Sequence, residues 1–260
     1  MRVFFFRGVL VIIIAAMALC VYQMFIISNT YIQEEQVQEL AAAFAPSGPA
    51  EHLETIAPGS EDLPQQNPPD TVNVSNPSIL EAMLSVNEDI TAWIRVPNTH
   101  IDYPVVHGED NSFYLDHDIY KQYAAAGSIF IDSRNNKGFV DFNTIIYGHN
   151  MKNGTMFGNL SYFSEMGYFL NNPNAQIFLP ETTYTLEIFA FMRLNHDDSI
   201  IYGSVLNADF TEFIEYVKLN AVQYRDIQLN NYDRLVTLST CINELADARM
   251  VLLARLNHAV

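Results

Sequence analysis

Apolar residues are spread unevenly along this chain, and their spacing changes character from segment to segment. From Val9 to Ile27 they run on uninterrupted by charge (VLVIIIAAMALCVYQMFII), with Gln23 the one strongly polar side chain. At ~1.5 Å per residue such a run makes a helix about 28 Å long, close to the thickness of a hydrocarbon core. Arg2 and Arg7 precede it, while Glu34, Glu35 and Glu39 follow. The positive-inside tendency then leaves the N-terminus in the cytoplasm and carries everything after about residue 28 outside. A cleaved signal peptide would need a shorter apolar core and a small-residue site, which Ile26 to Thr30 does not offer. A lipoprotein signal would need a small residue before Cys20, where Leu19 stands. The pattern predicts an uncleaved single-pass transmembrane anchor over residues 9–27, after a cytoplasmic N-terminus of residues 1–8.

The apolar content then collapses. Tyr31 to Phe44 has helix-forming composition, but Pro46 ends it, and Pro58-Gly59, Pro64 and Pro68-Pro69 follow. Residues 28–75 read as an extracytoplasmic stalk or linker. A folded domain is expected over 76–260. Asn76-Pro77-Ser78 with Ile79, Leu80, Met83 and Leu84 predicts a short amphipathic helix at its start. The pattern next turns to β-type segments rich in Ile, Val, Phe and Tyr, bounded by Asn, Gly, Asp and Pro. They are 90–97, 101–106, 127–132, 143–147, 175–179, 183–194, 234–239 and 249–256. Eight strands in a domain of this length predict a mainly β architecture, a closed eight-stranded barrel. A helix is inserted before the penultimate strand: Ala208 to Leu219 repeats apolar residues at Phe210, Phe213, Ile214 and Val217.

Charge changes the list of partners. The net charge is −17, from 13 basic against 30 acidic side chains, a surface that repels phosphate backbones and disfavours a nucleic-acid partner. Cysteine usage changes the list of chemistries. Of two cysteines, Cys20 lies in the predicted anchor, so Cys241 has no partner for a disulfide in the exported part. A buried inert thiol and a reactive one both fit that count.

Cys241 closes the strand-like run Leu235-Val236-Thr237-Leu238-Ser239-Thr240-Cys241, a rigid platform for a nucleophile. Eight positions on, Arg249 opens the next strand, and alternation puts Arg249, Val251, Leu253 and Arg255 on one face. If residues 242–248 join the two strands, Arg249 returns close to Cys241. Arg255 lies about 20 Å further at ~3.3 Å per residue, out of reach. A guanidinium beside a thiol favours the thiolate and can donate to a developing oxyanion. Among seven histidines, His149 follows a strand end (Ile145-Ile146-Tyr147-Gly148) with a glycine as a flexible joint. His52 falls in the stalk and His258 at a frayed end. No HxH or HxxxH spacing occurs, and one cysteine makes no zinc site, so no metal is expected.

Taken together these segments resemble a known family. Thr237-Leu238-Ser239-Thr240-Cys241 with Arg249 after it and Tyr147-Gly148-His149-Asn150 upstream are similar to the class B sortases. So are Asp89 to Ile94, Ile101 to Val106, Asp110-Asn111 with Tyr114-Leu115, Gly127 to Asp132, and Asn153 to Phe157, in the family's order. The resemblance covers nearly all of residues 76–256 and implies a sortase-like barrel and a cysteine transpeptidase without cofactors. Such an enzyme cuts the C-terminal sorting signal of secreted surface proteins after threonine, through a thioacyl intermediate, and transfers it to a peptidoglycan amine. By position, the resemblance makes Cys241 the nucleophile, His149 the general acid and base, and Arg249 the stabiliser of the oxyanion. Asn111, Leu115, Tyr147 and Ser239 match positions of the substrate cleft. Several members carry an acid just after the cysteine, where this chain has Ile242. A cysteine endopeptidase releasing to water, a pilin-polymerising sortase and a non-catalytic anchored barrel are the competing readings.

Overall fold

The computed structural model describes residues 13–22, 24, 84–205, 208–242 and 245–258, and for 241, 242 and 245–247 the backbone alone. Among the described residues nine strands form: β1 (Ile90–Arg95), β2 (Asp102–Val106), β3 (Ile129–Ile131), β4 (Asn143–Tyr147), β5 (Asn174–Phe178), β6 (Thr183–Asn195), β7 (Gln223–Tyr224), β8 (Leu235–Ile242) and β9 (Leu245–His258). Their order is β5-β1-β2-β3-β4-β8-β9-β6, and pairing of β5 with β6 closes the ring. The eight expected strands are the eight staves of this barrel. The ninth, β7, adds a two-residue edge to β6, too short to leave a sequence pattern.

Alternation along the strands fills the interior. Ala92, Ile94, Val105, Ile131, Ile146, Ile177, Leu186, Val236, Leu238, Leu252 and Ala254 belong to one buried cluster. The opposite phase of β8 and β9, with Leu235, Val251 and Leu253, packs outward against Phe213, Ile214 and Val217 of the helix Phe210–Asn220. This is the inserted helix expected over 208–219, started two residues later by the cap Asp209, whose side chain accepts from the Glu212 N–H. In β6 the alternation changes phase. Leu186 and Ile188 point inward, then Phe191 does, because the β6–β9 register shifts between Ile188 and Ala190. The extra residue of such a bulge re-aims every later side chain.

Two of the neighbouring pairs are parallel, β2–β3 and β4–β8. A parallel pair cannot be joined by a tight turn, so each needs a long crossover. The crossover 107–128 leaves over one side of the barrel, and the far longer one after β4 carries the helical layer. These two connections wall a cleft on the outer face of β4, β8 and β9.

Some expectations are revised. β8 continues one residue past Cys241, and β9 begins at Leu245 rather than Arg249, with Ile242 opposite Leu245. Strand pairing therefore takes up residues 242 and 245–248 of the expected joining segment, with a register shift between Cys241 and Ile242. His258 is not frayed: it ends β9 opposite Tyr184 and packs on that ring at 4.7 Å. Residues 13–22 of the expected anchor are helical. Among the described residues no helix is long and apolar enough to cross a membrane. The remainder of the 9–27 segment, the stalk, and all but Leu84 of the expected amphipathic helix lie outside the described residues.

Candidate active site

The β4–β8–β9 ladder fixes the site. Tyr147 stands opposite Ser239 in the parallel pair β4–β8. In the antiparallel pair β8–β9, Ser239 faces Val251 and Cys241 faces Arg249. Directly opposed residues have Cβ atoms ~4.5–5.5 Å apart, so the ladder brings position 241 and Arg249 into adjacency. Arg255 faces Leu235 at the far end of the same ladder and is held there by Glu187 at 2.5 Å and Asp233 at 3.7 Å. The distance argument for Arg249 over Arg255 agrees with the register.

A cleft of ≈ 330 Å³ opens on this floor, and its lining includes Asn111, Leu115, Tyr147, His149, Ser239 and Arg249. Six of the seven residues singled out in the sequence therefore share one cavity, and the seventh, Cys241, occupies the next ladder position beside it. The His149 ring reaches across to the first crossover, where Nε2 lies 2.6 Å from the Leu115 carbonyl. A carbonyl only accepts, so Nε2 carries the proton of this hydrogen bond and Nδ1 is left to exchange protons.

The crossover that supplies Leu115 is itself fastened. The Asn87 amide donates to the Tyr114 hydroxyl at 2.9 Å, that hydroxyl donates to Asp89 at 2.6 Å, and Lys121 pairs with Asp89 at 2.9 Å. Gly127 lets the chain turn back at φ +59, and a Cβ there would lie 2.5 Å from the Tyr114 and Leu115 carbonyl oxygens. Asn111 contributes in a second way, accepting from the Ser133 N–H at 2.7 Å, which ties the crossover to the end of β3.

Gly148 is not the flexible joint that its place before His149 suggests. Its backbone is outside the left-handed region, and what requires glycine is crowding: a Cβ would lie 2.4 Å from Ile129 Cδ1 and 2.8 Å from the Phe157 ring. Gly148→Ala is expected to cost about 1–3 kcal/mol by overpacking and to displace His149, lowering activity along with the melting temperature. A variant with unchanged stability would show that the wall yields.

Several cleft residues were not singled out in the sequence. Phe130, Arg134, His196, Tyr202 and Thr240 line the same cavity. Tyr202 comes from the five-residue helix Ser199–Gly203, whose one sequence signal is Asp198 capping it at the N–H groups of Ile200 and Ile201. The Tyr202 hydroxyl meets Ser239 Oγ at 2.9 Å, and its ring stacks on Tyr147. Tyr147 donates to the buried carboxylate of Asp132 at 2.9 Å, which Arg134 grips with Nε at 2.8 Å and an Nη at 2.7 Å. Burial, then the Asp132 charge, pushes the Tyr147 hydroxyl well above its ordinary pKa, so it stays a donor.

Burial alone would raise Asp132, but the Arg134 side chain and backbone N–H and the Tyr147 hydroxyl outweigh it and hold the carboxyl below its usual range. A depressed folded value adds stability that is complete above the unfolded pKa of about 3.9 and is lost as pH falls through the folded one. Asp132→Asn is expected to lose about 1–3 kcal/mol at pH 7 and to flatten the acid limb below about pH 4. Urea unfolding at both pH values reads this out, and equal stability at pH 7 would contradict it. Among the described residues no group of His, Cys, Asp and Glu could hold a metal ion.

Comparison with known proteins agrees with this geometry. The family model described as a sortase domain matches residues 94–257. Sortase B of Listeria monocytogenes is 36% identical over 180 residues, covering 68% of this chain and 73% of that protein. Among solved structures, a Streptococcus pyogenes class B sortase involved in pilus biogenesis superposes with a TM-score of 0.64 at 33% identity, covering 68% of this chain and 97% of that one. The Staphylococcus aureus sortase B–substrate complex gives a TM-score of 0.64 at 28% identity, covering 70% and 86%. A closed barrel with two parallel pairs in it, a cysteine position laddered to an arginine, and matches over two thirds of the chain carry one conclusion: this protein belongs to the sortase family, as a class B sortase.

Proposed function

We propose that this sortase cleaves the C-terminal sorting signal of a secreted surface protein after threonine and passes the acyl group to a peptidoglycan amine. The observation that carries the reading is the single cleft lined by His149 and Arg249, with Cys241 as the ladder partner of Arg249. Position 241 directly follows Ser239 and Thr240 on β8, and both of those line the cleft. In the first half-reaction the Cys241 thiolate adds to the threonine carbonyl carbon, and the electron pair moves to oxygen. The Arg249 guanidinium stabilises that oxyanion. His149 Nδ1 gives a proton to the leaving amide nitrogen, the C–N bond breaks, and a thioacyl enzyme remains.

In the second half-reaction an amine attacks the thioester carbon and loses a proton to His149, and the C–S bond breaks to restore the thiolate. Tyr147, Tyr202, Ser239 and Asn111 line the groove for the peptide segment before the scissile bond. The predicted anchor over 9–27 would hold the domain on the outer face of the membrane, single-pass, with residues 28–75 as its stalk. In support, the described helical stretch exposes Ile13, Ile14, Met17 and Leu19 at about half their surface or more, which an aqueous setting would disfavour.

A labelled NPxTN-type sorting peptide incubated with the purified protein, with and without an amine acceptor, tests the reading. Acceptor-joined product is expected, and release to water alone at every acceptor concentration would favour an endopeptidase. One finding favours a second reading, the Streptococcus pyogenes relative's involvement in pilus biogenesis. Transfer to a lysine side chain in preference to a glycine amine would support pilin polymerisation.

A further inference from the structure

A second cavity, of ≈ 480 Å³, is lined by the chain that follows His149, and its lining includes Asn150, Lys152, Asn153, Asn159, Tyr162 and Arg193. It contains two cations and no carboxylate, in a chain of net charge −17. The arrangement is unusual for the basic residues of this protein. Of 13, Arg2 and Arg7 lie outside the described residues. Among the rest, only Lys137, Lys152 and Arg193 lack an ion pair, hydrogen bond or aromatic partner. Two of those three converge on one pocket. Solvated cations with no internal partner are poised for an external anion.

Both cations are tied to the catalytic neighbourhood by backbone. Lys152 follows His149 by three residues, in a loop held by Phe157 N–H donating to the His149 carbonyl at 2.9 Å and Gly154 N–H to the Met151 carbonyl at 3.0 Å. Gly158 closes the loop tightly, since a Cβ there would lie 2.5 Å from the Met151 carbonyl oxygen. Arg193 is the ladder partner of Met250, the residue after Arg249. Three residues of chain span at most about 11 Å, so the Lys152 backbone lies within a tripeptide's length of the His149 backbone.

We propose that this pocket binds a carboxylate of the acceptor, selecting peptide amines that carry a carboxylate about three residues from the attacking nitrogen. The inference rests on the transpeptidase reading above. With the carboxylate between Lys152 and Arg193, the amine is presented at His149. Its lone pair attacks the thioester carbon there, its proton passes to the imidazole, and the C–S bond breaks to free the Cys241 thiolate. The peptide cleft, lined by His149, and the acceptor pocket, lined by the residues after it, would then serve the same reacting atoms.

The test compares triglycine with triglycinamide as acceptors for the full chain and for a Lys152→Ala/Arg193→Ala variant. Triglycine is expected to have a KM about fivefold lower than triglycinamide, as two solvent-exposed charge contacts would give, and the variant is expected to bring the two acceptors together. Equal KM values in the wild-type protein, or a ratio unchanged in the variant, would overturn the proposal. A reading without turnover uses the Cys241→Ser chain: triglycine should shift the Arg193 Nε–H NMR signal and triglycinamide should not, and identical responses would equally overturn it. The acyl-enzyme mass separates the two levels. A thioester with an unchanged acceptor ratio counts against the pocket alone, and its absence in the wild-type protein counts against the underlying reading.

Discussion

Replacing Cys241 by alanine is expected to lower sorting-peptide cleavage by at least about 10⁴-fold while leaving peptide affinity within about twofold. The asymmetry follows from the division of labour in the cleft. Asn111, Tyr147, Tyr202 and Ser239 supply the lining, and the Ser239 hydroxyl is engaged with that of Tyr202. Without a thiol, attack falls to water, which Arg249 alone assists poorly. Cys241→Ser should be nearly as inactive, because a hydroxyl is far harder to ionise beside a guanidinium than a thiol is. Peptide affinity measured by fluorescence anisotropy separates lost chemistry from lost folding. A Cys241→Ala protein that still cleaves at a tenth of the normal rate would remove the cysteine from the mechanism.

The second large effect concerns the arginine. Arg249→Ala is expected to reduce kcat by about 10²–10³-fold, the usual consequence of deleting an oxyanion donor, with KM little changed. Arg249→Lys should recover only part of the loss, since an ammonium restores the charge but not the planar fork of donors. Arg255→Ala provides the contrast. That residue pairs with Glu187 and Asp233 at the other end of the β8–β9 ladder, so its loss should cost about 1 kcal/mol of stability and leave kcat alone. A drop in kcat for Arg255→Ala equal to that for Arg249→Ala would reverse the assignment made from register.

Strand alternation made the barrel legible, because a period of two survives in sequence wherever one face is buried. Val236 and Leu238 point inward while Leu235 packs outward, and β9 repeats the pattern from Met250 onward. Arg249 was legible for the same reason: hairpin geometry returns a residue near its partner whatever the loop. The phase change at the Ile188/Ala190 bulge was hidden, since Phe189, Ala190 and Phe191 are all buried and blur the alternation. Tyr202 was hidden because a five-residue helix holds too few turns for a period. The Asp132–Arg134–Tyr147 network joins the end of β4 to the turn that follows β3, a pairing that exists only after β3 and β4 align. Gly148 was misread for a related reason, as its crowding by Ile129 and Phe157 depends on side chains far apart in sequence.

The acid–base assignment also gained a detail that sequence could not carry. The Leu115 carbonyl belongs to the first crossover and His149 to the second, 34 residues apart. Their contact occupies Nε2 and leaves Nδ1 for the proton transfer proposed above. The cleft is thus built from the two connections that parallel pairing forces on the barrel, so the same topology that closes the fold also assembles the site.

The most direct test of the account is the intact mass of the protein after brief mixing with an excess of sorting peptide and acid quenching. The wild-type chain should gain the mass of the acyl fragment ending in threonine, lose it on treatment with hydroxylamine, and yield the modified peptide at Cys241 on digestion. An adduct on any other residue, or turnover of the peptide with no hydroxylamine-sensitive adduct in the wild-type protein, would contradict it.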